Sequence, residues 1–125
     1  MIHKLTIERS LPSLNQYIDA SRRNRFVGAK MKKDAEQYIG VFVQEQLKGV
    51  AIICPVSIHF AFYEPNRKRD PDNVLSYFTK VALDCLVARG VIPNDSQQWI
   101  KGLSYEFHVD RSSPRIEIQI TEVGT

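Results

Sequence analysis

Residues 68–74 read KRDPDNV, so Asp70 and Asp72 stand two apart across Pro71, with Asn73 next and Arg67, Lys68 and Arg69 at hand. Two carboxylates that close repel each other unless something positive sits between them. A helix start is one candidate. Asp70 suits the N-cap, Pro71 suits the first helical position, and Asp72 would then meet the positive end of the helix dipole. A metal ion is the other. An EF-hand does not fit, because Val74 occupies the next ligand position and no glycine follows. Zinc does not fit either, since His3, His59 and His108 lack ligand spacing. No phosphate-binding glycine loop, dinucleotide turn or serine elbow occurs.

The residues that follow add a polar seam. Counted at about 100° per residue from Asn73, the side chains of Ser76, Lys80 and Asp84 lie within about 60° of one line, while Val74, Phe78, Val81, Cys85 and Leu86 fill the rest. Lys80 and Asp84 could be a plain i,i+4 ion pair. The seam nevertheless starts at the carboxylates and runs along a helix that otherwise reads as buried. Asn94 and Asp95 follow on a loop that can return toward the helix start. Three aspartates converging as hard oxygen donors would suit Mg²⁺, and such an ion can activate water and stabilise phosphoryl charge.

These residues need a scaffold. The chain has 125 residues, 43% hydrophobic and 25% charged, with a net charge of +3. That is the size of one domain, spanning 1–125, with a core that needs no disulfide. Cys54 and Cys85 read as reduced core residues, one in a strand and one in a helix, and the first ten residues lack an apolar signal region. A cytoplasmic protein without a membrane span is therefore expected.

Residues 2–8 alternate as a strand, and a short helix is expected after Asn15. One long amphipathic helix follows through Met31, Ala35, Ile39 and Phe42 toward Gly49. Val56, Ile58, Phe60 and Phe62 share one face of a strand whose start, at Pro55, reads as an edge or a bulge. A helix from Pro71 to Arg89 is closed by Gly90. Two alternating stretches, Leu103–Val109 and Ile116–Ile120, then flank DRSSP as an apparent hairpin. The result is an α+β fold, a small mixed or antiparallel sheet packed against two main helices. Trp99, Tyr105 and Phe107 read most simply as core or dimer-interface residues.

The ordered set RDPDN, Lys80, Asp84, Gly90 and NDSQ (94–97) resembles the RusA-like Holliday junction resolvases, the crossover junction endodeoxyribonucleases. PSLNQY (12–17) and the closing IEIQITEVG are similar to that family's first motif and last strand, so the resemblance spans nearly the whole chain. It implies a homodimeric, Mg²⁺-dependent endonuclease that nicks two strands of a four-way DNA junction symmetrically, in recombination and repair or in phage DNA processing. Mn²⁺ is the alternative ion, and no small-molecule cofactor is expected. Asp70, Asp72 and Asp95 match the family's metal-binding acids and Lys80 its catalytic lysine, with Asn73, Asp84 and Asn94 in support. Two departures stand out. The gap from Asp72 to Lys80 is one helical turn longer than in shorter members, which keeps the lysine's face but moves it about 6 Å along the axis. Asn94 stands where an aspartate is common.

RRNRFVGAKMKK, residues 22–33, carries six cations and no acid. Such a run is either a solvated helix face or a track for phosphates. The second reading puts Arg22, Arg23, Arg25 and Lys30 on DNA together with Arg67, Lys68 and Arg69. Two other functions compete with a nuclease: an inert nucleic-acid-binding module of the same fold, and a structural domain whose aspartates only cap helices.

Overall fold

The alternation at the start of the chain forms strand β1 (Ile2–Glu8). It is followed by α1 (Leu14–Arg23), α2 (Arg25–Gln46), β2 (Val56–Glu64), α3 (Pro71–Ala88), β3 (Ile100–Val109) and β4 (Arg115–Glu122). This computed structural model describes residues 1–9 and 14–124, without the side chains of Leu14, Asn15 and Tyr17. Pro12 and Ser13 of the PSLNQY motif therefore lie outside the described residues, and of its other side chains only that of Gln16 is described. The α+β expectation holds, with a third helix, α1, beside the two main ones.

The break between α1 and α2 comes from Asn24. Its extended backbone (φ −165°, ψ 123°) stops one helix, and its side chain caps the next by accepting from Phe26 N at 2.8 Å. The long helix thus begins at Arg25, ahead of its apolar stripe, and the basic run straddles the break. Close packing across it needs Gly28, where a Cβ would fall 2.9 Å from Ser21 Cβ.

The four strands make one mixed sheet in the order β1-β4-β2-β3. β4 is antiparallel to both β1 and β2, whereas β3 runs parallel to β2. The expected hairpin between the last two strands is therefore corrected, because β2 lies between them. Alternation and turn residues report a reversal of direction but not which strand is adjacent. The 110–114 connection instead crosses the end of β2, where Asp110 N donates to Glu64 O at 2.8 Å. The Asp110 carboxylate accepts from Ser112 N, Ser113 N and Arg115 Nη1, at 3.2, 3.1 and 2.8 Å. Pro55 precedes a register shift between Val56 and Ser57, so β2 opens on a bulge inside the sheet and not at an edge.

One face of the sheet carries the core: Leu5, Ile7, Ile58, Phe60, Phe62, Ile118 and Ile120 are all buried. Phe78 of α3 meets Phe60 and Phe62 edge-on at 5.9 and 5.6 Å, which fixes α3 and its polar seam on this face. Pro71 begins α3 and Gly90, at φ +74°, ends it. Both cysteines are free. Cys85 is buried in α3, but Cys54 sits in the segment before β2, not in a strand, with its thiol on Glu122 Oε1 at 3.2 Å. Among the described residues, no helix is long and apolar enough to cross a membrane.

Candidate active site

Asp70 occupies the N-cap of α3, with extended φ and ψ of −71° and 140°. Its carbonyl accepts from Asn73 N at 3.1 Å and Val74 N at 3.2 Å, but its carboxylate makes no capping bond. The backbone of Asp70 therefore does the work of the cap and the side chain is left over. Asp72 lies exposed in the first turn, and its carbonyl accepts from Ser76 Oγ at 2.6 Å. Among the described residues, no ion pair engages either carboxylate. Asn73, between them and the buried Val74, is half-buried.

The loop carrying these acids is held rigidly. Arg69 Nε and Nη2 grip Glu64 Oε1 and Oε2 at 2.8 and 2.9 Å, a bidentate pair on a glutamate that is 7% exposed. Asn66 Oδ1 accepts from Lys68 N at 2.9 Å and closes the turn. Arg69 was expected on the phosphate track. Its fork is taken by Glu64, so its charge is largely matched and it anchors the loop instead.

Two turns along α3, Lys80 Nζ lies 3.2 Å from Asp84 Oδ1 and 3.9 Å from Asp95 Oδ2. The longer gap noted in the sequence thus still brings Lys80 to the third aspartate. The Asp84 hydrogen bond, then the charges of Asp84 and Asp95, raise the ammonium above its ordinary pKa, so it stays protonated. Asn94 Oδ1 accepts from Ser96 N at 2.8 Å and shapes the loop that presents Asp95. Lys32 of α2 also reaches Asp84, at 3.7 Å. Neither Lys32 nor Glu64 is evident as a site residue from spacing. The available signal for Glu64 is an acid in phase with the core positions of β2, five residues before an arginine.

The structure thus gathers Lys80, Asp84 and Asp95, while Asp70 and Asp72 stand at the start of the same helix. Among the described residues, no three His, Cys, Asp or Glu side chains form a group that could hold a metal ion. The three aspartates are not a closed cage. The donors at Asp70 and Asp72 are nevertheless hard oxygens, open and without cationic partners. That suits Mg²⁺, which commonly binds through one or two carboxylates and completes its shell with water and phosphate oxygens.

The family model for endodeoxyribonuclease RusA matches residues 9–121. This chain belongs to the RusA endodeoxyribonuclease family. The match takes in all three helices, strands β2 and β3, and all seven residues of the candidate site. A comparison with curated proteins finds no match. RusA nucleases act on branched DNA and are generally dependent on a divalent metal.

The basic residues of this chain are unevenly available. Arg22 and Arg23 close α1 and Arg25 opens α2, all exposed, with Arg25 stacked 5.0 Å from the centre of the Phe26 ring. Arg67 and Lys68 are exposed beside the acids. Lys30 is paired with Asp34 at 2.9 Å on the α2 surface, which weakens its claim on a phosphate.

Proposed function

We propose that this chain is a Mg²⁺-dependent endonuclease that resolves four-way DNA junctions by paired symmetric nicks, working as a homodimer in DNA recombination and repair or in phage DNA processing. The observation that carries this reading is the pair of open carboxylates, Asp70 and Asp72, on a loop pinned by Arg69 and Glu64. Acids left unpaired near Arg67 and Lys68 would repel a phosphate backbone unless a cation joined them. Asp70 and Asp72 would hold that ion, and Asp95, which lies beside Lys80, would have to move toward them to add a third ligand. When bound, Mg²⁺ (or Mn²⁺) supplies an activated water and neutralises phosphoryl charge.

The chain's own groups do the rest. Lys80, protonated and positioned by Asp84 and Asp95, offers a cation to the charge that develops on the scissile phosphate. Asn94 stabilises the loop that carries Asp95, and Asn73, half-buried between the acids and Val74, would support the start of α3. Arg67 and Lys68 contact flanking phosphates and set the register of the strand. A two-fold dimer matches the near-two-fold symmetry of a junction, so that two sites can act in one binding event.

A second reading, an inert binding module of this fold, draws support from Lys80, which already lies between two carboxylates. A labelled four-way junction and a matched linear duplex, each with and without Mg²⁺, separate the two. Paired nicks in the junction alone, and only with the metal, are expected. Tight junction binding with no nicks would favour the inert module.

A further inference from the structure

Beside the carboxylate loop lies a cleft of about 470 Å³ that the proposed catalytic residues do not fill. Among the described residues its lining includes Asn66, Arg67, Pro71, Phe107, His108 and Val109. Neither Asp70 nor Asp72 lines the cleft, but Pro71, which stands between them in the chain, does, so the cleft adjoins the segment that carries the acids. The other wall is the end of β3, which lies at the edge of the sheet. Phe107 is half-buried there, with its ring stacked 5.0 Å from that of Phe62, while Val109 is 43% exposed. Phe107 packs on the core through Phe62 and is only partly covered, and beside it Val109 adds an exposed aliphatic surface to the cleft.

We infer that this cleft receives one unstacked nucleotide of the branched DNA, with its base against Phe107 and Val109 and its phosphate toward Arg67. The volume lies in the range of small-ligand sites, about 300–1,000 Å³. The lining is of mixed chemistry: an aromatic and aliphatic surface suits the face of a base, the Asn66 amide and the His108 ring are polar groups at its edge, and Arg67 complements a phosphate. His108 is held in place by Glu106 at 2.9 Å and by stacking on Tyr63, with ring centres 4.9 Å apart. Branched DNA supplies the occupant. Nucleotides at a branch point have lost a stacking neighbour, so extracting one costs less than from a continuous duplex. A base seated next to Asp70 would fix which phosphodiester lies over the acids, making the cleft a determinant of where the nick falls.

This inference rests on the nuclease reading, and the two can fail separately. Junctions carrying an abasic residue at each position flanking the branch are compared for binding without divalent metal, using the unaltered chain and Val109→Trp. The tryptophan fills the cleft from an exposed position and touches none of the acids. In the unaltered chain, one abasic position should weaken binding about tenfold, on the scale of one lost base–aromatic stack. Val109→Trp should bind that abasic junction and the intact one equally, and with metal its nicks should spread over neighbouring phosphodiesters. Equal affinity of the unaltered chain for every abasic junction, or the same tenfold loss in Val109→Trp, would overturn the cleft while leaving the nuclease in place. A chain that neither binds nor nicks any junction would overturn both.

Discussion

At the scale of single residues, the decisive fact about Asp70 is that its carbonyl and not its carboxylate caps α3. Asp70→Asn should therefore change stability by less than about 0.5 kcal/mol, below the cost of a lost side-chain cap. Junction nicking should vanish while junction binding is kept or strengthened, because a negative charge near phosphate is gone. Chemical denaturation and a nicking assay on the same preparation check both halves; cleavage at the parental rate would remove Asp70 from the site. Lys80→Ala tests a different role. Loss of one group that stabilises transition-state charge costs about 10²–10³ in rate. Single-turnover nicking should fall by that factor with little change in junction affinity, since Lys80 lies among acids and is not a free phosphate contact. The Lys80–Asp84 pair of the α3 seam was legible in the sequence because it depends on local helical geometry, whereas the approach of Asp95 to Lys80 depends on how the loop after α3 returns. Lys32 reaching Asp84 was not, because it requires the packing of α2 against α3.

At the scale of elements, α3 was readable from Pro71 to Gly90, and β2 from the alternation of Val56, Ile58, Phe60 and Phe62. Strand order was not. Which strand lies beside β3 depends on backbone bonds between distant segments, and the crossing over β2 depends on Asp110 and Glu64 meeting. That crossing carries a pH signature. Arg115, then Ser112 and Ser113, hold the Asp110 carboxyl below its ordinary pKa. A lowered folded-state pKa means that the stabilisation is complete above the ordinary aspartate range and disappears as pH falls through the folded value. Asp110→Asn should thus lower the denaturant midpoint at neutral pH, and the two curves should converge once the pH has fallen below the depressed folded-state value of the Asp110 carboxyl. A constant offset at all pH values would mean that the bond network of the loop, and not the charge, is what matters there.

At the scale of the whole molecule, net charge is a poor guide to DNA affinity, because individual cations differ in availability. Arg22, Arg23, Arg25, Arg67 and Lys68 are exposed, whereas Arg69 is committed to Glu64 and Lys30 to Asp34. If each of these five cations neutralises one phosphate, the logarithm of affinity should fall against that of salt with a slope of about −4 to −5 per chain. A dimer that engages the junction with both copies at once should double this to about −9. The measured slope thus reports how many copies touch DNA, and sedimentation of the free protein shows whether they were paired beforehand. Arg22→Ala with Arg23→Ala should make the slope shallower by about 2 per engaged copy. Lys30→Ala should leave it unchanged, because its charge already faces Asp34. A slope near −4 with symmetric paired nicks would mean that two chains act one after the other, and the argument from junction symmetry to a preformed dimer would fail.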